Sequence, residues 1–240
     1  MTVARTAAVF FDVDFTLIHP GPRFQGAGYQ ESCARHGVAV DAGRFDAAVA
    51  GAASVLDSAD QLYDARLYVQ YTRRIIELMG GTGPDADRVA QEMCDEWAEH
   101  LHFSLYEDVP DALRALAAAG LRLGLISNSH RCLASFQTHF ELDGLISATV
   151  SSSDHGFMKP HPSIFHAALA LVQVPACQAV MVGDSLTHDA AGAVRAGLGG
   201  VWLARGGGDP HVAGHAGVSM IRSLTELPAV LVARDVAGVA

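Results

Sequence analysis

The stretch VFFDVDFTL, residues 9–17, decides how the rest of the chain is interpreted. Its apolar half, with the two alanines before it, predicts a buried strand over residues 7–11. The strand ends in two carboxylates, Asp12 and Asp14, and alternate residues of a strand face the same side. Two like charges held this close are unfavourable unless a positive group lies beside them. The stretch therefore predicts either a catalytic pair with a bound cation or an inert, solvated strand end.

The composition is that of an acidic globular protein. The sequence has 240 residues, 50% of them hydrophobic and 18% charged, which is enough apolar material for a sizeable core. The formal net charge of −10 disfavours nucleic acids and anionic membrane surfaces, because both reward basic patches. No apolar run approaches the ~18 residues of a membrane span. We therefore expect no nucleic-acid or membrane partner, and a monomer or homodimer.

The cysteines indicate a reducing compartment. The four of them are scattered without a C-x-x-C pairing, which argues against structural disulfides and zinc sites. The first apolar run is interrupted at Asp12 and is too short for the core of a signal peptide. The expected location is the cytoplasm.

The order of the patterns predicts an α/β fold with an insertion. Residues 19–101 show helical periodicity and no convincing strand, whereas strands and helices alternate from residue 102 onward. Such alternation is typical of a doubly wound parallel sheet. We expect an α/β core formed by residues 1–18 and 102–240, interrupted by an α-helical unit at 19–101. The later strands are predicted at residues 121–126, 145–150, 179–182 and 200–203.

Polar residues follow several of these strands directly. Ser127 and Asn128 come after one strand, a run from Gly183 to Asp189 comes after another, and Lys159 lies between them in sequence. Ligands of open α/β sheets bind beyond the carboxyl ends of the strands. We therefore expect one sheet edge to carry Asp12, Asp14, Thr16, Ser127, Asn128, Lys159, Asp184 and Asp189.

This set of side chains suits phosphoryl transfer. Several carboxylates around one point need a hard cation, and oxygen ligands favour Mg²⁺. A lysine and a serine hydroxyl stabilise phosphate oxygens. One carboxylate can attack phosphorus to form an aspartyl-phosphate, while a second donates and accepts the proton.

Four motifs in order carry a family resemblance. They are DVDFTL at residues 12–17, Ser127-Asn128, Lys159-Pro160, and Gly183-Asp184-Ser185 with Asp189. Over nearly its whole length the chain resembles the haloacid dehalogenase-like (HAD) hydrolase superfamily. The resemblance implies a Rossmann-like core and makes residues 19–101 an α-helical cap of the C1 type.

The resemblance also implies roles for the first motif. Asp12 would be the nucleophile and a Mg²⁺ ligand, and Asp14 would be the general acid and base, with its backbone carbonyl on the metal. Thr16 would orient the loop and Asp14. The dehalogenases that name the family lack the second aspartate, so Asp14 favours phosphate chemistry over halide chemistry.

The remaining motifs are assigned in the same way. Ser127, helped by Asn128, would bind the phosphoryl oxygens. Lys159 would stabilise the charge of the nucleophile and of the phosphate. Asp184 would ligate Mg²⁺ directly or through water, and Asp189 would be a further ligand or support one.

Phe15 departs from the family pattern, in which glycine usually follows the second aspartate and permits a tight turn. It leaves open a catalytically weak scaffold. A phosphomutase or a C–X hydrolase on the same fold is the other alternative. A receiver-like signalling domain also has an acidic cluster, but it is shorter and has no helical insertion. The sequence predicts a Mg²⁺-dependent phosphatase of a small phosphorylated metabolite, acting through an aspartyl-phosphate on Asp12.

Overall fold

The strands form one main sheet and one short ribbon. The computed structural model describes residues 5–56, 61–207 and 217–237. The strands in these ranges are β1 Ala8–Phe11, β2 Ile18–Pro20, β3 Phe103–Leu105, β4 Arg122–Ser127, β5 Ile146–Ser151, β6 Ala179–Gly183, β7 Gly199–Leu203 and β8 Val218–Ile221. Six of them form a parallel sheet in the order β5-β4-β1-β6-β7-β8, and β2 pairs with β3. This Rossmann-like α/β architecture confirms the predicted fold class.

Helices connect the strands and form the inserted segment. They are α1 Gly26–Arg35, α2 Phe45–Ala52, α3 Ala65–Leu78, α4 Asp85–Trp97, α5 Val109–Ala118, α6 Leu133–His139, α7 Ser152–His155, α8 Pro162–Val172, α9 Ala191–Arg195 and α10 Leu227–Ala237. None of the helices in the described ranges combines the length and the apolarity that crossing a bilayer requires.

The centre of the main sheet is apolar throughout. All four residues of β1 and all five of β6 are buried, as expected for parallel strands covered on both faces. A side chain on Gly124 of β4 would come within 2.6 Å of the Phe10 ring, so the glycine makes room for the phenylalanine. Phe11 pairs with Leu125 on one side and with Val182 on the other. The residues that follow β1, β4 and β6 therefore leave the sheet at the same edge.

Several predicted elements differ from the structure. The sequence analysis missed β2, β3 and β8, because strands of three or four residues are too short to show a clear period. The sequence predicts a helix capped by Asp41 and running to about residue 58, but α2 ends at Ala52 and a 3₁₀ turn, Ala53–Leu56, follows it. The sequence predicts that Asp60 caps the next long helix, but this residue lies outside the described residues. In the structure Asp64 caps α3 by accepting a hydrogen bond from the Arg66 amide.

The chain divides into two compact units. The first comprises Met1–His19, Leu105–Ser129 and Leu133–Ala240, and it contains the main sheet. The second comprises Pro20–Ser104 and His130–Cys132, and it contains α1 to α4. The division lies within a few residues of the predicted limits of the insertion, apart from the short segment at 130–132. That the second unit acts as a cap stays a prediction.

The segment His130–Cys132 is held in the second unit by Arg131. Its buried guanidinium donates to the carbonyls of Trp97 at 2.7 Å and Glu99 at 3.1 Å, which lie at and beyond the end of α4. It also lies over the Phe103 ring, 4.5 Å from the centroid. A cation at a helix C-terminus satisfies carbonyls that have no partner within the helix.

Candidate active site

The core of the candidate site is a buried ammonium between two carboxylates of the first unit. Lys159 Nζ donates to Asp12 Oδ1 at 2.6 Å and to the Ile126 carbonyl at 2.7 Å. It also pairs with Asp189 Oδ1 at 2.7 Å. All three charged side chains are nearly inaccessible, with Asp12 the most exposed at 8%. The sequence analysis predicted that these residues meet at one sheet edge, and the structure brings them into direct contact.

The charges of this group depend on one another. Burial opposes the charge of Lys159, but Asp12 and Asp189 together hold the pKa of its ammonium above the usual range. Burial raises the pKa of Asp12 to about 6, against the opposing attraction of Lys159. Lys159 is the only lysine in the sequence, so no other lysine takes part in this charge balance.

A third carboxylate completes an acidic cluster. Asp12, Asp184 and Asp189 each offer an oxygen, and these oxygens lie within 4.8 Å of one another. Desolvation by the surrounding protein and repulsion from Asp12 and Asp189 raise the pKa of Asp184 to about 8, although its side chain is still accessible to solvent. Three carboxylates face one ammonium, and all the donors are oxygens. This donor set fits a hard divalent cation.

Glycine and backbone amides position Asp189. It lies in a π-helical turn, Leu186–Ala190, that follows β6. The Ser185 amide donates to Asp189 Oδ2 at 3.0 Å. A side chain on Gly183 would collide with the Asp189 carboxylate. The glycine of the fourth motif is therefore required because the carboxylate approaches the backbone closely.

Asp184 is held through its backbone. The buried Thr16 hydroxyl accepts a hydrogen bond from the Asp184 amide at 3.0 Å. The Trp202 indole donates to the Asp184 carbonyl at 2.9 Å. Thr16 thus contacts the fourth motif directly, a contact that its predicted role in orienting Asp14 does not include.

Asn128 braces the backbone of Lys159. The Asn128 side chain accepts from the Lys159 amide at 2.7 Å and donates to its carbonyl at 2.9 Å. Ser127, almost fully buried, shares a hydrogen bond of 2.9 Å with the Ser129 hydroxyl. Both motif residues lie at the end of β4, beside β1 in the sheet. Their phosphate-binding roles stay predictions.

The loop after β1 adopts the tight turn that its sequence position indicates. Phe15 has φ = 62°, in the left-handed region where glycine is favoured. Its amide donates to the Ile18 carbonyl at 2.7 Å, and the Ile18 amide donates to Val13 at 3.1 Å. The phenylalanine therefore occupies the conformation that glycine usually supplies, and the residue is 44% exposed. Asp14, in the same loop, is half-buried and is not one of the three clustered carboxylates.

Two residues at the end of β7 were missed by the sequence analysis. Trp202 contacts Asp184, and Arg205 donates to the Thr16 carbonyl at 2.9 Å. Their position could have indicated them, because they lie at the carboxyl end of a strand of the same parallel sheet, where the other site residues also lie. Neither residue carries a carboxylate, a hydroxyl or a lysine ammonium, which are the groups that the predicted phosphoryl-transfer chemistry requires.

Known proteins resemble this chain in sequence and in fold. The rat N-acylneuraminate-9-phosphatase is 33% identical over 162 residues, which cover 64% of this chain and 63% of that protein. The glyceraldehyde 3-phosphate phosphatase of Pyrococcus furiosus is 27% identical over 215 residues, covering 84% and 82%. The match to the rat protein thus spans less than two thirds of that protein's length. Another curated relative, a phosphoglycolate phosphatase, is matched over only 36% of its own length.

A solved structure and a family model complete the comparison. The HAD-hydrolase YfnB from Bacillus subtilis, crystallised with magnesium, has a TM-score of 0.73 over 95% of this chain and 99% of that chain, at 19% identity. At this identity the likeness concerns the fold. The family model of haloacid dehalogenase-like hydrolases matches residues 6–197, most of the chain. The protein therefore belongs to the haloacid dehalogenase-like hydrolase family.

Proposed function

We propose that this protein is a Mg²⁺-dependent phosphatase that removes phosphate from a small phosphorylated metabolite through an aspartyl-phosphate on Asp12. The observation that carries the proposal is the contact of Lys159 with Asp12 and Asp189, beside the third carboxylate of Asp184. A buried carboxylate held at one oxygen by an ammonium is oriented for attack, and an adjacent cation site accommodates the charge of a phosphate.

In the first step Asp12 is the nucleophile. Lys159 holds its Oδ1, and the other oxygen attacks the phosphorus atom while the ester P–O bond breaks. Asp14 protonates the leaving oxygen, so the alcohol departs neutral. Ser127 donates a hydrogen bond to a transferred phosphoryl oxygen, and the ammonium of Lys159, whose backbone Asn128 holds, offsets the negative charge.

In the second step water displaces Asp12 from phosphorus. Asp14, now ionised, removes a proton from the water, and the acyl-phosphate bond breaks. Asp12 is regenerated as a carboxylate beside Lys159, and inorganic phosphate leaves. Asp14 thus acts as acid and then as base, which suits a half-buried group with access to solvent.

Asp12, Asp184 and Asp189 would hold the magnesium ion. When bound, the ion neutralises carboxylate and phosphate charge, so that an anionic nucleophile can approach an anionic substrate. Thr16 and Trp202 fix the backbone of Asp184. They therefore keep its carboxylate close enough to Asp12 and Asp189 for all three to ligate one ion.

The substrate class is supported by the relatives. Both named relatives are phosphatases of small phosphorylated metabolites. Asp14 is the feature that favours this chemistry over dehalogenation, because ester formation at carbon needs no acid at that position.

The test is phosphate release from a broad set of phosphorylated metabolites, with Mg²⁺ and with EDTA. A set of 2-haloacids is assayed in parallel. We expect turnover with Mg²⁺, none with EDTA, and none in Asp12→Asn. In Asp14→Asn, assayed with an aryl phosphate whose leaving group departs without a proton, the acyl-phosphate should accumulate, and mass spectrometry of acid-quenched protein should locate it on the peptide containing Asp12. Asp111→Asn, whose side chain is 93% exposed, is the matched control and should retain full activity. Phosphatase activity retained in Asp12→Asn would refute the proposed nucleophile.

A further inference from the structure

Arg205, which has no role in the proposed steps, links three parts of the first unit. Its guanidinium donates to both oxygens of Asp108, at 3.1 and 2.9 Å, and to the Thr16 carbonyl at 2.9 Å. It also stacks on the Tyr106 ring, 3.9 Å from the centroid. The arginine side chain is 16% exposed and the Asp108 side chain 13%. The planar guanidinium forms an ion pair with Asp108, stacks on Tyr106 and donates to the Thr16 carbonyl at the same time. These three contacts together fix its position.

The carbonyl of Thr16 belongs to the loop that carries Asp14 and Phe15. Within this loop, the carbonyls of Val13 and Ile18 accept hydrogen bonds from the loop's own amides. The Thr16 carbonyl instead accepts from Arg205, through Nη2 at 2.9 Å and Nε at 3.3 Å. Thr16 is fully buried, so its carbonyl needs a protein partner. Arg205 therefore fixes the backbone of the loop where it turns.

The same threonine contacts the candidate metal site. Its hydroxyl accepts from the Asp184 amide at 3.0 Å, while Trp202 donates to the Asp184 carbonyl at 2.9 Å. A displacement of the Thr16 backbone would move this hydroxyl away from the Asp184 amide. The effect would reach one of the three clustered carboxylates without any contact between Arg205 and the cluster.

We propose that Arg205 is a positioning residue for the metal site, holding Asp184 in its ligating position through Thr16. This inference rests on the proposed function, because it requires a divalent cation at Asp12, Asp184 and Asp189. It adds a second residue from the end of β7, beside Trp202, to those that position Asp184.

The direction of the expected effect separates positioning from simple electrostatics. Replacing Arg205 with methionine removes a positive charge and leaves the Asp108 carboxylate with hydrogen bonds from Ser223 and Leu224 but no neutralising cation from Arg205, which makes the region more negative. By electrostatics alone, a cation would then bind more tightly. Loss of positioning has the opposite sign, because outer partners of metal ligands contribute roughly 10- to 100-fold to metal affinity.

The experiment measures Mg²⁺ and Mn²⁺ binding to the full chain by isothermal titration calorimetry, without substrate. We expect Arg205→Met and Thr16→Val to bind each ion about tenfold or more weakly, and Arg205→Lys to be intermediate. Arg23→Met is the matched control, because Arg23 pairs with both oxygens of Glu96 in the second unit and its side chain is 15% exposed. This control should bind the ions as the wild type does. Circular dichroism establishes that each variant is folded.

Asp184→Asn separates the two proposals. If it binds the ions as well as the wild type, the metal site is misassigned and both proposals are wrong. If it loses binding while Arg205→Met and Thr16→Val keep wild-type affinity, or bind more tightly, the positioning role is overturned and the proposed function stands. Should Arg205→Met fail to fold, Thr16→Val and Arg205→Lys decide, and wild-type affinity in both overturns the inference.

Discussion

Replacing Lys159 with methionine should destabilise the fold strongly, and more so at high pH than at low pH. Methionine has a similar length and no charge. The substitution leaves the buried carboxylates of Asp12 and Asp189 without the ammonium that now lies 2.6 and 2.7 Å from them. It also removes the donor to the Ile126 carbonyl. Lys159 is the only lysine in the sequence, so no neighbouring lysine can replace it.

The magnitude follows from these distances. At an effective dielectric constant of ~20, each contact contributes about 6 kcal/mol of Coulomb energy. Desolvation of the three buried ions offsets most of this, and removing one partner of a buried pair typically costs about 3 to 5 kcal/mol. Domains of this kind have total stabilities of about 5 to 15 kcal/mol. The substitution should therefore remove a large fraction of the free energy of unfolding.

The pH dependence follows from the pKa of the carboxyl groups. Burial raises the pKa of Asp12 to about 6 in the wild type, and loss of the ammonium raises it further. A carboxyl group with a raised pKa binds its proton more tightly in the folded than in the unfolded state. Its contribution to stability is then lost as pH rises through the folded pKa. The deficit of Lys159→Met should be small near pH 5 and full near pH 8.

Urea denaturation in EDTA at these two pH values measures the effect. Lys159→Met combined with Asp12→Asn should recover part of the loss at the higher pH, because one of the unpaired charges is gone. Arg114→Met, which removes an exposed ion pair, is the control and should change stability by less than about 0.5 kcal/mol. A loss below about 1 kcal/mol near pH 8, or an equal loss at both pH values, would refute the reasoning.

Three further predictions concern the loops of the site and the metal. Phe15→Gly should be more stable than Phe15→Ala by about 1 kcal/mol, because both lose the ring but only alanine keeps the cost of φ = 62°; equal urea midpoints would contradict this. Gly183→Ala should cost about 1 to 3 kcal/mol by displacing Asp189, whereas Gly206→Ala, with no atoms within 4 Å of the added carbon, should be near neutral. The metal-free protein should lose stability as pH rises toward the folded pKa of Asp184, about 8. At the proposed site Mg²⁺ would replace the proton, so it should raise the melting temperature more at about pH 9 than at about pH 5; an equal rise at both would exclude this linkage.

The regular part of the fold was predictable from local patterns. The apolar run before Asp12 and the alternation after residue 102 indicate a parallel sheet, because buried parallel strands read as continuous apolar segments. The short strands β2, β3 and β8 were missed, because three or four residues carry no usable period. Their pairing is set by neighbours distant in sequence, and a local window does not contain those neighbours.

The meeting of charged residues at one sheet edge was also predictable. Asp12, Lys159 and Asp189 are charged residues in recognisable motifs, and a parallel sheet places such residues at one edge. Which atoms meet was not predictable. That one ammonium contacts two carboxylates and a carbonyl follows from side-chain packing between distant parts of the chain, since Asp12 and Lys159 lie 147 positions apart.

Phe15 shows the limit between the two kinds of information. Its place after Asp14 indicated a position that prefers glycine, and the structure has φ = 62° there. The sequence could not tell whether a phenylalanine would adopt that turn. Hydrogen bonds within the loop, and the contact of Arg205 with Thr16, are what hold the backbone in this conformation.

The sequence by itself determined the fold class, the order of the motifs and the residue types able to perform the chemistry. These properties depend on local periodicity and on the chemistry of each side chain, and both can be inferred directly from the sequence. Only the tertiary structure decided which partners set the charge of each group, and which outer residues hold it in place. Trp202 and Arg205 donate hydrogen bonds to backbone carbonyls of the site. Because every residue type has a backbone carbonyl, no sequence motif predicts such contacts.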